Sequence, residues 1–456
     1  MICSTNPATG AELARYDEHS DAHVELTLSA AAQAQHHWAS LDIASRAAIL
    51  PAIARLLRER REQYARLITL EMGKPLAEAQ GEIEKCAWTC DHYAQHGPDY
   101  LANTPVSSNA SDSYIAYDPL GVVLAIMPWN YPFWQFIRFL APALVAGNGS
   151  ILKHANNVPQ CALALQQLML DAGVPAGLVG VLLIDAGRVK AVIEDERIAA
   201  VTLTGSTAVG KLVAAQAGSV LKKQVLELGG SDPFIVLADA DIATAAKTAV
   251  KARFGNTGQS CISSKRFIVE ASVADAFVAA FTAATRELVM GDPLLPQTTI
   301  GPLARPSLVN DLHSQVERSV AAGAKVLTGG APVFGAGCFY PPTILDHVTP
   351  QMAVASEETF GPVAAVIRVQ DAEQAIALAN ATEFGLGAAL WSGDIARAHQ
   401  LARRIEAGAV FINGLVASDA RLPFGGIKQS GYGRELGAAG AREFTNTKTI
   451  WVGPAR

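Results

Sequence analysis

The chain has 456 residues, of which 50% are apolar and 17% charged, and its net charge is −6. On a rough prior of about 150 residues per domain, this length predicts two or three globular domains. The apolar content is too high for a disordered chain. No basic block concentrates the positive charge, so we expect no nucleic acid partner.

The six cysteines are scattered, and only Cys86 and Cys90 stand close together. Because no second Cys/His pair stands at zinc spacing, we expect no metal, and reduced thiols fit better than a disulfide scaffold. Residues 1–20 lack the apolar core of a signal peptide. The uncharged segment 119–137 is long enough to cross a membrane, but prolines interrupt it and Arg138 follows. We therefore expect a cytoplasmic protein with no membrane partner.

Residues 21–100 have a helical pattern. Asp21 is the predicted N-cap of the first helix, and 45–69 is an amphipathic run with apolar residues at helical spacing. The break at 73–75, Gly-Lys-Pro, ends this run, and the helical pattern resumes over 77–95.

From residue 120, apolar strands alternate with helices, which predicts a parallel sheet covered on both faces. The predicted strands are 121–127, 150–153, 179–183, 199–204 and 225–228, and the predicted helices are 136–146, 158–172, 188–194 and 208–217. Ligands bind such sheets at the carboxyl ends of the strands. Asn130, Lys153, Thr204 and Glu227 all fall at those ends.

A second α/β series follows and carries Cys261. Its predicted strands are 234–237, 266–269, 325–327, 363–369, 388–391 and 410–412, and its predicted helices are 242–253, 276–289, 307–322, 372–379 and 395–405. Residues 449–452 form a last predicted strand, available to a neighbouring sheet edge.

Two segments suit a nucleophile and its base. The strand 225–228 ends with Glu227 before two glycines, and the glycine-rich turn 254–261 delivers Cys261. Covalent catalysis needs such groups close in space, and glycines let backbone N–H groups approach a reacting atom. A lone cysteine is more commonly an inert buried thiol, but the glycines argue against that alternative here, because a packed core has no need of them.

The ordinary Gly-x-Gly-x-x-Gly dinucleotide fingerprint does not follow any predicted strand. Residues 204–211, Thr-Gly-Ser-Thr-Ala-Val-Gly-Lys, form a looser version with a strand, a glycine turn and a helix. This is a weak indication of phosphate binding at a helix N-terminus, and a plain strand–helix turn is the alternative.

Seven motifs occur in order: 127–132 (MPWNYP), 152–154 (LKH), 204–206 (TGS), 227–230 (ELGG), 258–261 (GQSC), 358–362 (ETFGP) and 423–428 (PFGGIK). With them the chain resembles the aldehyde dehydrogenase superfamily over nearly its whole length. The resemblance implies an α/β fold with a Rossmann-like cofactor domain, an α/β catalytic domain and a small β arm that makes a homodimer or homotetramer. The implied bounds are 1–103 with 120–229 for the cofactor domain, 230–429 for the catalytic domain, and 104–119 with 430–456 for the arm.

The resemblance also implies roles for single residues. Cys261 attacks the aldehyde as a thiolate, while the Asn130 amide and the Cys261 N–H hold the oxyanion, each donor contributing roughly 3–4 kcal/mol. After hydride transfer, Glu227 activates the water that hydrolyses the thioester. Glu358 holds the nicotinamide ribose and Phe360 packs near it. Without the resemblance, Asn130 reads as a turn residue and Glu358 as a solvated charge.

Further cofactor residues implied by the resemblance are Met127, Trp129, Lys153, His154, Asn156, Thr204, Gly205, Ser206 and Leu228. Lys153 matches the lysine that reaches the adenosine ribose. NAD-preferring members carry an acid three residues later, where this chain has Asn156. Because the missing acid removes a like-charge cost against a 2′-phosphate, we expect NADP to be preferred and NAD to be usable. The alternative role for Asn156 is to cap the helix near Val158.

Arg138 lies on the helix that lines the substrate tunnel in this family. Succinate semialdehyde dehydrogenases have an arginine there and a serine matching Ser418, and an arginine fork suits a carboxylate. Segments 153–162 and 226–234 also resemble the bacterial NADP-linked subgroup. A second arginine of some members is replaced by Gly255, and Arg253 is two residues off register.

The implied reaction is oxidation of succinate semialdehyde to succinate through a thiohemiacetal and a thioester on Cys261. Aromatic or aliphatic aldehydes are the alternative substrates, since Tyr131 and Trp134 would line the tunnel. A structural ion pair is the alternative role for Arg138. A non-redox esterase or structural protein and a CoA-acylating enzyme are further alternatives, and the intact Glu227 argues against both. Because serines occupy 263–264, we expect no disulfide switch beside the nucleophile.

Overall fold

The computed structural model describes residues 1–333 and 335–453. The strands are β1 (Ile2–Thr5), β2 (Glu12–Tyr16), β3 (Thr104–Pro105), β4 (Asp112–Pro119), β5 (Val122–Met127), β6 (Gly149–His154), β7 (Val179–Val181), β8 (Ile198–Thr204), β9 (Lys223–Glu227), β10 (Asp232–Val236), β11 (Ser264–Glu270), β12 (Lys325–Thr328), β13 (Thr343–Asp346), β14 (Val363–Val369), β15 (Gly387–Trp391), β16 (Ala409–Ile412), β17 (Gly431–Tyr432) and β18 (Thr445–Val452).

The α-helices alternate with these strands through most of the chain. They are α1 (Asp21–Ala39), α2 (Ile43–Ala47), α3 (Leu50–Glu59), α4 (Arg61–Met72), α5 (Leu76–Tyr100), α6 (Trp134–Ala146), α7 (Pro159–Asp171), α8 (Val189–Glu194), α9 (Thr207–Ser219), α10 (Ile242–Phe254), α11 (Ala271–Thr285), α12 (Pro306–Ala321), α13 (Ala353–Ser356), α14 (Ala372–Asn380), α15 (Ile395–Ala402) and α16 (Gly437–Glu443). Among these helices of the described residues, none has the length and apolar character that a membrane span requires.

The first large sheet has the order β17-β9-β8-β5-β6-β7 and is parallel except for the edge strand β17. Side chains alternate between its faces. Val122 and Leu124 of β5 pack with α1, α8 and α9, whereas Val123 and Ala125 pack with the opposite group of helices. This confirms the predicted parallel sheet covered on both faces. Its carboxyl edge places Thr204 directly beside Glu227.

The second large sheet has the order β12-β13-β14-β11-β10-β15-β16, with only β12 antiparallel to its neighbour. Its faces are also both covered. Phe234 and Val236 pack among helices α10 and α11, while Ile235 packs against α14 and α15. The predicted second α/β series is therefore correct in type, and the sequence analysis missed β13.

The last strand pairs within its own chain. β18 runs antiparallel to β4 along its whole length, from Thr445 opposite Pro119 to Val452 opposite Asp112. Together with β3 these strands form a separate three-stranded sheet. The sequence analysis predicted the tail strand but not β3 or β4, nor the N-terminal β1–β2 hairpin.

Two predictions about the N-terminal helices are wrong. The N-cap of α1 is Ser20, whose side chain accepts the N–H of His23, and Asp21 is the first helical residue. The run 45–69 is not continuous but divides into α2, α3 and α4. Pro51 explains the first break, because its ring fits only the first turn of a helix.

Helix α10 is anchored at its last turn by one arginine. Arg253 is fully buried, and its guanidinium donates to the carbonyls of Thr359 (3.1 Å), Gly361 and Val363 (2.5 Å). A side chain held this way cannot face a substrate. Arg253 therefore serves the fold and is not available for the role of the arginine missing at Gly255.

We predict that Arg253→Met lowers the free energy of unfolding by about 3 kcal/mol or more, because buried carbonyls lose their donors. Lys251→Met is the matched control, since Lys251 is exposed on the same helix and its loss should cost within about 0.5 kcal/mol. Urea unfolding measures both values. Equal and small effects would contradict the anchoring role.

Candidate active site

The turn before Cys261 has an unusual backbone. Asn256, Thr257 and Gly258 follow one another with φ of 53°, 55° and 72°, in the left-handed region. Non-glycine residues there cost of order 1–3 kcal/mol each unless their surroundings hold them. Only glycine fits the third position, since a Cβ on Gly258 would lie 2.4 Å from the carbonyl oxygen of Gly361.

Buried polar groups hold this turn in place. The Asn256 N–H donates to Glu78 Oε2 (2.6 Å), and its side-chain Nδ2 donates to the Asn130 carbonyl (2.9 Å). The Thr257 hydroxyl accepts the N–H of Gly301 (3.0 Å). The strain is thus offset by hydrogen bonds to three other parts of the chain, and the backbone leading to Cys261 is fixed.

Cys261 is partly exposed and opens onto two cavities. Lys265 lies behind it, and its Nζ donates to the carbonyls of Ser260 (2.9 Å) and Cys261 (2.6 Å). Burial raises the pKa of the Cys261 thiol to about 11, and the Lys265 charge opposes this rise. Because Cys261 lines two clefts, the alternative of a cysteine enclosed in the core is wrong, and its role as nucleophile stays a prediction.

Asn130 is oriented by its neighbours. Its Nδ2 donates to the Gln259 carbonyl (2.9 Å), and its Oδ1 accepts from Gln135 Nε2 (3.1 Å). A side-chain amide carries two N–H donors, so one remains for a ligand. Because Asn130 and Cys261 line the same cavity, the amide is available to an oxygen near the sulfur.

The first cavity has a volume of about 210 Å³ and lies at the carboxyl edge of the first sheet. It is lined by Pro128, Trp129, Asn130, Gln135, Thr204, Gly205, Ser206, Leu228, Gly229, Cys261, Arg305, Leu308, Glu358 and Phe360. Ser206 is the N-cap of α9, so the free N–H groups of a helix end are beside this cavity. Such an end favours a phosphate.

Glu358 and two aromatic rings complete the first cavity. Glu358 Oε1 accepts the N–H of Gly230 (3.0 Å) and lies 3.9 Å from Lys265 Nζ. Trp129 and Phe360 meet edge to face with centroids 5.7 Å apart. Phosphate donors, a carboxylate for sugar hydroxyls and flat apolar walls suit a dinucleotide.

Lys153 and Asn156 interact directly outside this cavity. Lys153 Nζ donates to Asn156 Oδ1 (2.9 Å), and Asn156 is exposed. Asn156 does not cap α7, because Glu71 instead accepts the N–H groups of Gln160 (3.1 Å) and Cys161 (2.9 Å). The capping alternative is therefore wrong.

His154 does not offer a donor for a cofactor. Its buried ring contacts the Pro132 carbonyl through Nε2 (2.9 Å) and accepts the Ala155 N–H at Nδ1 (2.9 Å). Burial lowers the pKa of His154 to about 4, so the ring is neutral. Since both ring nitrogens are engaged within the protein, the prediction of a His154 side-chain donor is wrong. The buried Met127, at the end of β5, is also absent from the wall of the first cavity.

Glu227 is buried beside other charges and lines neither cavity. Neither carboxylate oxygen has a hydrogen-bond partner among the described residues. Burial and then the Glu435 carboxylate raise the pKa of Glu227 well above its usual value, while Arg138 opposes them. A carboxyl group whose pKa is raised in this way, with both oxygens unengaged, has the properties of a candidate general base.

The second cavity, of about 320 Å³, lies on the other side of Cys261. It is lined by Glu78, Gly81, Glu82, Lys85, Tyr131, Trp134, Gln135, Arg138, Ser260, Cys261, Ile262, Leu415, Val416, Ala417, Ser418 and Phe424. The predicted substrate residues Arg138, Trp134, Tyr131 and Ser418 are thus brought together with the thiol.

Arg138 has a protein partner. Its Nε lies 2.5 Å from Glu435 Oε2 with both side chains buried, and its Nη2 donates to Thr204 Oγ1 (3.3 Å). The guanidinium also stacks on Phe424 at 4.8 Å from the ring centroid. Arg138 therefore takes part in the ion pair considered as its alternative role, while it still lines the cavity.

Sequence reasoning missed Lys85, Gln135 and Glu435. Lys85 Nζ donates to Ser418 Oγ (2.7 Å) and lies 4.3 Å from the centroid of the Trp134 ring. In the sequence it is one more lysine in a helical run, and no local signal separates it from a surface lysine. Its position depends on contact between α5 and the loop that carries Ser418, which is 333 residues further along the chain.

Comparisons with known proteins agree with this geometry. Residues 1–450 match the aldehyde dehydrogenase family. The chain is 50% identical over 448 residues to a succinate semialdehyde dehydrogenase, NAD(P)+, of Escherichia coli (strain K12), covering 98% of this chain and 97% of that one. It is 48% identical to a succinate-semialdehyde dehydrogenase, NADP(+), of Mycolicibacterium paratuberculosis (strain ATCC BAA-968 / K-10), covering 100% and 97%.

A solved structure extends the similarity to three dimensions. The succinic semialdehyde dehydrogenase of Streptococcus pyogenes, in complex with NADP+ as the cofactor, superimposes with a TM-score of 0.97 at 38% identity, covering 100% of both chains. The fold predicted from the ordered motifs is thereby confirmed. With its sequence match, its two parallel sheets and a thiol shared by two cavities, this chain belongs to the aldehyde dehydrogenase family.

Proposed function

We propose that this chain oxidises succinate semialdehyde to succinate with NADP+, through covalent intermediates on Cys261. The observation that carries the proposal is the sharing of one thiol between two cavities of different character. The first suits a dinucleotide, and the second places cationic side chains with the nucleophile. The relatives named above, which are called succinate semialdehyde dehydrogenases, support the same substrate and cofactor.

The first cavity fits NADP+ in its donors and walls. The N-terminus of α9, capped by Ser206, would hold the pyrophosphate, and Glu358 would hold the nicotinamide ribose. Lys153 and Asn156 would face the adenosine ribose. Neither side chain carries a carboxylate that would repel a 2′-phosphate. When bound, NADP+ supplies the acceptor for a hydride.

Cys261 attacks the aldehyde carbon, and the carbonyl oxygen takes up negative charge. The free N–H of the Asn130 amide and the Cys261 backbone N–H stabilise that oxyanion. Gln135 and the Gln259 carbonyl fix the amide before the reaction, so no reorganisation is needed. The strained turn 256–258 likewise fixes the position of the Cys261 sulfur before the reaction. Loss of hydride leaves a thioester on Cys261.

Glu227 then removes a proton from the water that attacks the thioester. Burial and the Glu435 carboxylate raise the pKa of Glu227, and a less acidic carboxyl group is a stronger base toward water once it is ionised. Neither of its oxygens is engaged by another group of the described residues. A base for water favours hydrolysis over transfer of the acyl group to CoA. Succinate then leaves the second cavity.

We propose that the chain is organised as a cofactor domain, a catalytic domain and an arm. We assign 1–103 with 120–229 to the cofactor domain, 230–429 to the catalytic domain and 104–119 with 430–456 to an arm, of which 454–456 lie outside the described residues. The exposed Trp451 on β18 favours an arm that joins copies into a homodimer or homotetramer. We place the enzyme in the cytoplasm.

The decisive test is a panel of succinate semialdehyde, butanal and benzaldehyde against NADP+ and NAD+, with formation of reduced cofactor as the readout. Succinate semialdehyde with NADP+ should have the highest kcat/KM. A higher kcat/KM for benzaldehyde or butanal would favour the alternative substrates. The rings of Tyr131 and Trp134 in the second cavity are compatible with such apolar aldehydes. Ester hydrolysis without any cofactor reduction would contradict the redox reaction itself.

We predict that Cys261→Ala abolishes hydride transfer, whereas Glu227→Gln gives one rapid burst of reduced cofactor and then stalls, because the thioester forms but is not hydrolysed. Stopped-flow absorbance measures the burst, and mass spectrometry of the protein detects the acyl group. Glu194→Gln on the exposed face of α8 is the control and should turn over normally. No burst in Glu227→Gln would contradict the assigned role of water activation.

We predict that Asn156→Asp lowers kcat/KM for NADP+ at least about tenfold relative to NAD+, because the new carboxylate repels the 2′-phosphate and neutralises Lys153. Asn446→Asp, on the exposed strand β18, is the matched control and should leave the NADP+/NAD+ ratio unchanged. A ratio that is equal in both variants would contradict the placement of Asn156 at the adenosine ribose.

A further inference from the structure

Lys85 is the one lysine of the second cavity's wall. It projects from α5, partly buried, to Ser418, and its ammonium also stacks on Trp134. Both neighbours are compatible with a cation, but neither carries a negative charge. The position of Lys85 therefore raises the question of which anion compensates it.

The carboxylates near this wall are engaged by other groups, and Glu78, which lines the same cavity, accepts the N–H of Asn256. Glu82 forms a buried ion pair with Lys74 and accepts the N–H groups that begin α6. Asp419 binds Arg421 at 2.6 Å. In residues 1–333 and 335–453, no carboxylate lies within the 4.0 Å ion-pair distance of Lys85 Nζ, which makes it a partly buried cation without a counter-ion.

Arg138 is in the opposite situation. Its charge is compensated by Glu435 at 2.5 Å, inside the protein. An incoming carboxylate gains less from a cation that already has a partner, and gains most from one that lacks it. Of the two cations on this wall, Lys85 is the one to which a bound anion would supply the missing counter-ion.

We propose that Lys85, together with the Ser418 hydroxyl, binds the distal carboxylate of the substrate and is the main determinant of selectivity for semialdehydes of dicarboxylic acids. This inference rests on the proposed function and specifies which side chain recognises the acid. Arg138 contributes its charge to the wall while it holds Glu435.

The charge of Lys85 gives the selectivity a characteristic pH dependence. Burial and then Arg138, on α6, lower the pKa of Lys85 to about 8, while Cys86 and Glu82 on its own helix and Asp419 on the facing loop oppose this. The charged lysine binds the carboxylate, so selectivity is full below that pKa and is lost as pH rises through it. Thiol ionisation affects every aldehyde alike and cancels in a ratio of kcat/KM values.

The experiment measures kcat/KM for succinate semialdehyde divided by that for butanal, with NADP+, from pH 6.5 to 9.5 (roughly the range on either side of the lysine's pKa). In the wild type the ratio should fall by up to about tenfold per pH unit above pH 8. Lys85→Met should lower the ratio at neutral pH by roughly 10- to 100-fold. Lys85→Arg should keep a high ratio that does not change with pH, since arginine stays charged.

Inhibition of butanal oxidation by succinate gives a second readout that does not depend on turnover of the acid. Succinate should inhibit the wild type and Lys85→Arg, and should inhibit Lys85→Met only at much higher concentration. Lys247→Met, a matched loss of an exposed lysine, should behave as the wild type.

Two contrary outcomes are distinguishable. A wild-type preference for succinate semialdehyde that survives in Lys85→Met, within about threefold, would overturn the role of Lys85 and leave the proposed function intact. A wild-type ratio near one, with no inhibition by succinate, would overturn the proposed substrate and this inference with it.

Discussion

The N–H of Asn256 donates to the partly buried carboxylate of Glu78, and this hydrogen bond joins α5 to the turn that carries the nucleophile. The turn needs such support because Asn256 and Thr257 both have left-handed backbone conformations. The cost of that conformation is met by contacts with other parts of the chain. As a result Cys261 is held at one point, where the two cavities meet. Helix α5 supplies both the support for the turn and, through Lys85, a wall of the second cavity.

The charges of the site differ in whether they have an ionic partner. Lys74 with Glu82 and Arg138 with Glu435 are ion pairs inside the protein, and an internal pair of this kind fixes the elements that it joins. Glu227 and Lys85 are the opposite, because neither has a charged partner within hydrogen-bonding distance among the described residues. Buried groups left incomplete are costly for folding but are available to water or substrate. This contrast separates the framework of the site from the groups that react or bind.

The sequence predicted the parallel sheets because each strand is a short apolar run. It predicted Cys261 and Asn130 because ordered motifs carried them, and Ser418 because its position matches a serine of the resembling enzymes. It could not predict what depends on distant packing. Asn156 does not cap α7, because Glu71 from another helix accepts the N–H groups at the start of α7. Lys85 was missed because its partner lies at the other end of the chain. Such contacts have no local pattern, so only the folded structure reveals them.

The most direct test of the shared thiol is alkylation by iodoacetamide, followed for each cysteine by mass spectrometry. Reaction requires an accessible thiolate, so Cys261 should react faster as pH rises, and succinate should slow it by filling the second cavity. The fully buried Cys86, Cys90 and Cys161 should stay unmodified in the folded protein. Reaction of Cys261 as slow as that of Cys86, or with a rate that succinate does not change, would contradict the account.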